Sequence, residues 1–485
     1  MFRALLYIAV FLLNLALFAR VRSRSVRQTV LLISTYFLYC SWSFWFAAVL
    51  VTSTAMNFLM GELLRRKPAR AVLAMGILLN CALLGGFKYL PEAAIHITFS
   101  PLQKFANLAL PLGISFWTFQ AMSYLFDLYR GDELNSSFLE FALYMAFFPV
   151  QISGPICRMP EMLPEFRSER LTAWSEISRG FARIATGVLM MQVSRLLGQG
   201  ILSGDGIDRG FDRLTAWSGL DVWCLAFGYA LQLFFDFAGY SHIAIGAAQA
   251  LGFTVPENFA RPFESTTPSI FWTRWHMSLS FWIRDYVFFP LATMRRPMWW
   301  RNFVLIVSMV LFGLWHKATI LFLLWGCYHG LLLVAHRQWQ RFRQQFDFDP
   351  PTILWSPLSW LCTTVLISLG WILFRANSLP QAQLMFSAAL SSKSYFAHHL
   401  SGSLYLLVFI LAAAYAVMLR AADEFEGLPA QAGSQQLTTR VSLFSAIHRT
   451  RWYWIPPLYI LALAMVFIVT HTQDAGAAQF MYRRF

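Results

Sequence analysis

Hydrophobic residues follow one another along this chain in blocks that match the thickness of a lipid bilayer. A helix of roughly 20 mostly apolar residues crosses the hydrocarbon core of a membrane. Because the first block runs directly into further apolar sequence without a small-residue cleavage site, we expect a membrane span there and not a signal peptide. The pattern predicts spanning helices near residues 1–19, 71–90, 107–128, 180–204, 220–252, 355–374, 402–419 and 454–471.

Basic residues punctuate these apolar blocks in four clusters, at residues 20–27, 65–70, 295–301 and 337–343. Loops rich in lysine and arginine stay in the cytoplasm, so the clusters mark the inner face of the membrane. Two clusters on one face must enclose an even number of crossings, yet residues 28–64 and 302–336 are short for two full spans and a turn. We predict that each interval forms a tight hairpin or bent, partial-depth helices. Counting outward from them predicts about eleven crossings.

The composition supports a polytopic membrane protein. Hydrophobic residues make up 58% of the 485 residues and charged residues only 13%, with a mean hydropathy of +0.52. A soluble globular protein of this size carries more charge on its surface. We predict an all-α fold with a single multi-pass domain over residues 1–485, surrounded by membrane lipids. The net charge of +14 is spread between the apolar blocks and forms no single basic face, so we do not expect nucleic-acid binding.

A histidine interrupts the apolar sequence at position 316. His316 follows the run 303–315 and precedes a second run at 320–325. An ionisable side chain at membrane depth is costly, and by default it indicates a function. Histidine titrates near neutral pH, so it can take a proton from a reacting group. We predict that His316 is a general base beside a cavity that also satisfies the backbone near Lys317. The alternative is a structural histidine bonded to a backbone carbonyl.

Aromatic and charged residues alternate between positions 256 and 290, in a segment too polar to span a membrane. That mixture is typical of helices lying at an interface, here on the cytoplasmic face. His276 lies in this segment between Arg274 and Arg284. It precedes His316 by 40 residues, so the two histidines form a pair only if the fold brings them together. Further candidates to bind or support a substrate in this segment are Trp275, Arg284 and Asp285.

Two other polar residues lie in apolar sequence. Asp236, in the block LQLFFDFAGYSHIAIG, has the most apolar surroundings of any carboxylate and is a functional candidate. Its expected partner is His242 or a helix N-terminus, and pairing for structure alone is equally open. His329 follows His316 by 13 residues, and on one straight helix the two would point about 220° apart. They are therefore poor joint metal ligands unless the chain bends, and since the six cysteines show no CxxC pair, we predict no metal site. His329 is a candidate to support a substrate.

Six sequence blocks, in order, resemble a known family. They are PLGISFWTFQAMSYLFDLYRG (111–131), FALYMAFFPVQISGPICR (141–158), FFDFAGYSHIAIG (234–246), PENFARPF (256–263), FWTRWHMSLSFWIRDYVFFPL (271–291) and LFGLWHKATILFLLWGCYHG (311–330). Over about residues 100–335 the chain is similar to the membrane-bound O-acyltransferase family. The resemblance is to its bacterial branch of alginate O-acetylation and teichoic-acid D-alanyl transfer, and it favours the O-acetylation side. It implies bent helices around a tunnel through the membrane.

The resemblance also implies a reaction. In the family, the histidine of the LWH block is catalytic and that of the WHMSLS block supports it, which corresponds to His316 and His276 here. We expect no bound cofactor and an acyl thioester donor, with acetyl-CoA favoured, that enters from the cytoplasmic face beside residues 271–291. The acyl group then passes through a periplasmic partner of the SGNH-hydrolase type and its polysaccharide machinery to an exopolysaccharide, at the bacterial inner membrane. The chain departs from the family pattern at Lys317, His242 and Ile270, where Gly, Asp and Asp are usual.

Two other functions stay open at this point. A transporter or channel could export an acylated or glycan intermediate with its histidines as a proton relay, although transporters often contain repeated halves and this chain shows none. A structural scaffold without activity in a secretion complex is the other. The chain lacks a GxSxG elbow, a Gly-rich phosphate loop and an HExxH motif, so covalent catalysis ranks below direct transfer.

Overall fold

The computed structural model describes residues 2–96, 108–201, 204–347 and 351–427. This part of the chain consists of helices joined by loops and contains no strand, which confirms the predicted all-α fold. The span predicted at residues 454–471 lies outside the described residues.

The helices follow the apolar blocks of the sequence closely. The first part of the chain forms α1 (Phe2–Arg20), α2 (Arg24–Cys40), α3 (Phe44–Arg66), α4 (Arg70–Lys88), α5 (Leu90–His96), α6 (Ile114–Arg130), α7 (Phe138–Met145), α8 (Met159–Arg167), α9 (Trp174–Gln199), α10 (Ile207–Asp212) and α11 (Gly219–Ala250). The second part forms α12 (Pro268–Arg274), α13 (Met277–Ile283), α14 (Phe289–Ala292), α15 (Met298–His316), α16 (Ile320–Gln345), α17 (Thr352–Arg375), α18 (Leu379–Leu390) and α19 (Gly402–Gly427). Short 3-10 turns lie at Pro262–Glu264 and Ser392–Phe396, and a π-helical turn at Arg284–Phe288.

Within the described residues, seven helices are long and apolar enough to cross a membrane. They are α3, α4, α11, α15, α16, α17 and α19. The blocks predicted at residues 107–128 and 180–204 also form helices, α6 and α9, which are not among these seven. The multi-pass architecture is therefore confirmed, whereas the predicted number of about eleven crossings is not.

Both short intervals between basic clusters form tight hairpins, one of the two predicted alternatives. Three residues, 41–43, connect α2 to α3, and residues 317–319 connect α15 to α16. The second hairpin packs closely because small residues lie where its helices meet. A Cβ atom at Gly313 would lie 2.3 Å from the carbonyl oxygen of Phe322, and one at Gly326 would lie 2.5 Å from that of Met309.

The described chain divides into two compact units. The first comprises Met1–Gly187 and Tyr240–Val365, and the second Val188–Gly239 and Leu366–Phe485, each in its described residues. The histidines at positions 276, 316 and 329 lie in the first unit, and Asp236 lies in the second. The single domain predicted over residues 1–485 stays a prediction.

A buried glutamate joins three helices of the first unit. Ser137 caps the N-terminus of α7, and its hydroxyl accepts a hydrogen bond from the backbone N–H of Glu140 at 3.2 Å. The carboxylate of Glu140 accepts two hydrogen bonds from Arg167, at 2.8 and 3.1 Å, and forms an ion pair with Arg24. Since Arg24 begins α2 and Arg167 ends α8, this carboxylate holds α2, α7 and α8 together.

Asp221 has a comparable role in the second unit. Its buried carboxylate accepts hydrogen bonds from the backbone N–H groups of Ser218 at 2.7 Å and of His399 and Leu400 at 3.1 Å. The hydroxyl of Tyr405 donates a further one at 2.5 Å. The N-terminal end of α11 is thereby attached to the loop before α19 and to α19 itself.

Candidate active site

His316 is the last residue of α15, and only 7% of it is exposed. Four aromatic rings surround its imidazole. Phe312, one turn earlier on α15, stacks on it at a centroid distance of 5.6 Å, and Trp315 lies at 4.7 Å. Phe322 and Trp325 of α16 lie at 6.1 and 6.0 Å. The hairpin thus holds the imidazole in apolar surroundings, and the cavity predicted beside it stays a prediction.

His276 has a left-handed backbone, with φ at +44°. This conformation costs about 1–3 kcal/mol for a residue with a side chain, and such strain clusters at functional sites. Asn258 stabilises it, because its backbone oxygen accepts a hydrogen bond from the N–H of Met277 at 2.8 Å and its Oδ1 accepts one from the Ser278 hydroxyl at 2.9 Å. The Nδ2 of Asn258 donates to the Ser241 hydroxyl at 3.0 Å, so both polar atoms of this amide are hydrogen-bonded.

The contact with Asn258 also determines the tautomer of His276. Its Nδ1 lies 3.0 Å from Asn258 Oδ1, and because an amide oxygen only accepts, Nδ1 carries the hydrogen. In the neutral ring, the lone pair is then on Nε2, on the side of the ring away from Asn258. His276 lies outside the seven candidate spans, and burial lowers its pKa to about 3. The ring is therefore neutral near pH 7.

The fold brings His276 and His316 into one aromatic cluster. The rings of Phe312 and Trp315, which contact His316, also lie 6.3 and 6.4 Å from the ring of His276. His276 and His316 are 40 residues apart in the sequence, and that spacing did not predict their proximity in the fold. The two histidines that the sequence predicted as a conditional pair are thus neighbours of the same two side chains.

His329 belongs to the same cluster. It is buried on α16, with Trp325 at 4.8 Å and Trp272 at 5.2 Å, and Trp325 also contacts His316. The chain turns at residues 317–319, so the two histidines lie on different helices and the geometry of one straight helix does not apply to them. Among the described residues, no group of three or more His, Cys, Asp or Glu side chains is placed to hold a metal ion.

The segment that contains His276 forms short helices, and its tryptophan and tyrosine side chains are not exposed. Phe271 and the four polar aromatic residues Trp272, Trp275, Trp282 and Tyr286 are buried, whereas Phe289 is exposed. The predicted supporting residue Trp275 stacks on Phe271 at 5.5 Å. These four side chains therefore pack inside the protein, and the position of the segment at the cytoplasmic interface stays a prediction. Composition alone does not distinguish aromatic rings that meet lipid headgroups from rings that fill the interior of a protein.

A polar cavity of about 440 Å³ lies beside the π-helical turn at residues 284–288. Arg130 and Arg158 line it, and both guanidinium groups lie 5.1 Å from the ring centroid of Tyr286. The hydroxyl of Tyr286 donates to the carboxylate of Asp127, at 2.8 and 3.0 Å from its two oxygens. Two cations and an aromatic ring therefore line the cavity together with the carboxyl groups of Asp127, Asp132, Glu161 and Asp285.

One predicted supporting residue lies at this cavity, and a second, Arg284, is paired with it. Asp285 lines it and forms ion pairs with Arg158 and Arg284, both at 2.7 Å. Burial raises the pKa of Asp285, but its hydrogen bonds to Arg284 and Arg158 outweigh this effect and hold the pKa below its usual range. The carboxylate is therefore charged near pH 7 and keeps both arginines in place.

A row of aromatic side chains joins the cavity wall to the histidines. Tyr286 lies 5.2 Å from Trp282, and Trp282 lies 4.4 Å from Phe119, whose backbone oxygen accepts a hydrogen bond from the indole N–H at 3.0 Å. Phe119 in turn lies 5.4 Å from Trp315, the neighbour of His316. The cavity and the histidine cluster are thus two ends of one continuous aromatic wall.

The sequence analysis missed two residues that contact the end of α15. Lys88 Nζ donates a hydrogen bond to the backbone oxygen of Trp315, and the Tyr89 hydroxyl lies 3.0 and 3.2 Å from the backbone oxygens of Leu314 and Trp315. A signal was present, because Lys88 is a lysine inside an apolar block that was predicted to span the membrane.

Asp236 lies on α11 in the second unit and is 6% exposed. Its Oδ2 has no hydrogen-bond partner in the described part of the chain. His242, its predicted partner, lies on the same helix but in the first unit. A functional role for Asp236 stays a prediction.

Comparison with known proteins identifies the family. The profile of the membrane-bound O-acyltransferase (MBOAT) family matches residues 102–376, which is more than half of the chain. The chain belongs to this family. It is therefore a multi-pass membrane O-acyltransferase, as the six sequence blocks indicated.

The relatives of this MBOAT protein include enzymes that acetylate polymers. A probable alginate O-acetylase of Pseudomonas putida is 33% identical over 384 residues, which cover 75% of each chain. The corresponding Pseudomonas aeruginosa protein is 33% identical over 377 residues, 75% of this chain and 70% of that one. A peptidoglycan O-acetyltransferase of Helicobacter pylori is 30% identical over 389 residues, 73% and 71% of the two chains. The chain is thus an alginate O-acetylase-like member of the family.

Proposed function

We propose that this protein transfers an acetyl group from acetyl-CoA, on the cytoplasmic side of the bacterial inner membrane, to a hydroxyl group presented from outside. The observation that carries the proposal is the position of His276 and His316 against the same two rings, Phe312 and Trp315, inside a buried cluster. Burial excludes competing solvent, and a positioned histidine contributes roughly 10²- to 10⁴-fold to proton transfer.

In the proposed reaction His316 is the general base. Its imidazole takes the proton of the acceptor hydroxyl while the hydroxyl oxygen attacks the thioester carbonyl. The carbon–sulfur bond then breaks, and the CoA thiolate leaves with the proton returned by His316. His276, held in one tautomer by Asn258, supports the base from the other side of Trp315 and Phe312. No covalent acyl-enzyme is required.

The cavity at the π-helical turn suits the entry of the donor. Arg130 and Arg158 present two guanidinium groups there, and guanidinium binds phosphate oxygens in bidentate fashion; at Arg158 a phosphate replaces the carboxylate of Asp285. A CoA thioester carries its phosphates at one end and its acyl group at the other, so phosphates at the cavity leave the acyl group directed along the wall of Trp282, Phe119 and Trp315. Because His316 is enclosed, aromatic side chains of this wall move when the acyl group reaches it.

The acceptor in our proposal is an exopolysaccharide of the alginate type, reached through a periplasmic SGNH-hydrolase-like partner. The similarity to probable alginate O-acetylases over three quarters of the chain supports this choice. The similarity to a peptidoglycan O-acetyltransferase supports a carbohydrate hydroxyl as the final acceptor.

The proposal is tested with His316→Ala in cells that lack their own copy of the protein, by measuring polymer-bound acetate. We expect a loss of roughly 100-fold or more, since a general base contributes about 10²- to 10⁴-fold. His398→Ala, at an exposed histidine of the second unit, is the matched control and should leave acetylation unchanged. Wild-type acetate with His316→Ala would show that the catalytic assignment is wrong.

A second measurement separates the enzyme from a transporter. Inverted membrane vesicles from the same cells expose the cytoplasmic face to added radiolabelled acetyl-CoA. We expect label to pass from acetyl-CoA to polymer in wild-type vesicles and not in His316→Ala vesicles. A transporter consumes no thioester, so vesicles that export polymer without consuming acetyl-CoA would overturn the enzyme proposal.

A further inference from the structure

The end of α4 is attached to the end of α15. Lys88, the last residue of α4, donates from Nζ to the backbone oxygen of Trp315, and the Nζ atom also lies 4.7 Å from the centroid of the Trp315 ring. The hydroxyl of the next residue, Tyr89, lies 3.0 Å from the backbone oxygen of Leu314 and 3.2 Å from that of Trp315. Both contacts are made immediately before His316.

Physical chemistry favours a cation and a hydroxyl at this point. The last four carbonyl groups of a helix lack intrahelical partners, and the negative end of the helix dipole attracts a positive charge. Lys88 Nζ and the Tyr89 hydroxyl are donors at this helix end, and they satisfy the carbonyl groups of Leu314 and Trp315 in the apolar interior. A lysine in an apolar span is costly, which indicates that the contact has a use beyond filling space.

We propose that Lys88 and Tyr89 are positioning residues for His316. The inference rests on the proposed function of His316 as the base. Lys88 holds Trp315 twice, by its carbonyl oxygen and by the face of its ring, and the same ring contacts both His316 and His276. Fixing Trp315 therefore fixes the place of the base and the spacing of the two histidines.

This arrangement complements the hairpin. Gly313 lets α16 approach α15 on one face, while Lys88 and Tyr89 hold the last carbonyl groups of α15 through α4. Loss of the contacts of Lys88 and Tyr89 leaves the hairpin in place but removes a restraint on its turn. A misplacement of about 1 Å at a reacting group lowers the rate by roughly 100-fold.

The test compares Lys88→Met, Lys88→Gln and Tyr89→Phe in inverted membrane vesicles that contain the complete complex. Transfer of label from acetyl-CoA to polymer is measured per folded protein, which is quantified by size-exclusion chromatography of the solubilised protein. For Lys88→Met we expect the maximal rate to fall roughly 10- to 100-fold while KM for acetyl-CoA changes by less than about twofold, because the donor cavity involves other residues. Tyr89→Phe removes a single hydroxyl and should lower the rate by a smaller factor.

Lys88→Gln keeps a donor for the Trp315 oxygen and should recover part of the rate lost in Lys88→Met. Lys67→Met, at the exposed end of α3, is the matched control and should behave as wild type. A purely structural role would reduce the amount of folded protein and leave the rate per folded molecule unchanged, and that result would overturn the inference. If His316→Ala is inactive while Lys88→Met is fully active, only the inference fails; if His316→Ala is active, the proposed function fails.

Discussion

Asn258 determines how His276 meets the rest of the site. It accepts from Nδ1 of His276 and from the hydroxyl of Ser278, and it bonds to the backbone N–H of Met277. These contacts offset the cost of the left-handed backbone at His276. One amide therefore selects the tautomer, the backbone conformation and the direction of the imidazole.

Replacing this amide should impair transfer more than folding. Asn258→Ala leaves the buried donors of His276 and Ser278 without their acceptor, which costs about 1–3 kcal/mol. We expect the rate of acetyl transfer in vesicles to fall roughly tenfold or more, since 1.4 kcal/mol in a barrier corresponds to about tenfold in rate. Asn258→Asp retains an acceptor and should keep more activity than Asn258→Ala. Asn135→Ala, at an exposed asparagine, is the control, and equal activity of Asn258→Ala and this control would contradict the role of Asn258.

Single residues differ in how far the sequence predicts them. His316 was predictable because an ionisable group between two apolar runs is rare and costly. Lys88 carried the same signal inside the apolar block 71–90, but the sequence analysis did not consider it. Asn258 gave no signal, since an asparagine in a polar loop is common and its contact with His276 arises only from the fold.

The hairpin of α15 and α16 is the element on which the cluster depends. Phe312, Trp315 and His316 lie on its first helix, and Phe322 and Trp325 on its second. The helices meet through glycines, so the aromatic rings can interdigitate around His316 at the turn. A side chain at these glycines would displace the backbone of the opposite helix.

Gly313→Ala should disrupt this element. The new Cβ would lie 2.3 Å from the carbonyl oxygen of Phe322, which is backbone and cannot turn aside. We expect overpacking to cost about 1–3 kcal/mol, with a lower thermal denaturation midpoint in detergent and lower acetyl transfer. Gly86→Ala on α4 has no atom within 4 Å of the new Cβ. As the matched control it should be neutral or stabilise the protein by up to about 1 kcal/mol, and equal midpoints for the two variants would contradict the packing argument.

The sequence predicted the positions of the helices better than the environments of the side chains on them. Apolar blocks located α1, α4, α11, α17 and α19 because a span must be apolar over most of its length. The segment with Trp275 and Tyr286 was placed at an interface because its composition fits both an interface and a polar-lined interior. The relation of His329 to His316 depended on whether the chain bends between them, and the turn at residues 317–319 is that bend.

At the scale of the whole molecule, charged side chains hold distant parts of the chain together. Glu140 is buried among groups from α2, α7 and α8, and it lies outside the candidate spans. Burial raises its pKa, but the hydrogen bonds from Arg167 and Ser137 and the charge of Arg24 outweigh this and lower the pKa to about 2. The folded protein therefore favours the charged carboxylate.

This shift predicts a pH dependence of stability. A depressed pKa contributes stability above the ordinary glutamate value of about 4.3 and loses it as the pH falls towards 2. Glu140→Gln should lower the free energy of unfolding at pH 7 by about 1.5–3 kcal/mol. The difference in denaturation midpoint between wild type and this variant should shrink between pH 4.5 and pH 2, the window set by the shift. Glu133→Gln, at an exposed glutamate, should show no such difference. If the midpoints of wild type and Glu140→Gln differ equally at pH 4.5 and at pH 2, the charge of Glu140 does not stabilise the folded protein.

The enclosure of His316 affects how much acyl donor the cell loses to hydrolysis. His316 is 7% exposed and bordered by Phe312, Trp315, Phe322 and Trp325, so little of it is accessible to bulk water. Water is the commonest competing nucleophile for an activated acyl group. With His316 as the proposed base, this enclosure protects the donor from futile hydrolysis and ties consumption of the activated acyl group to the arrival of an acceptor.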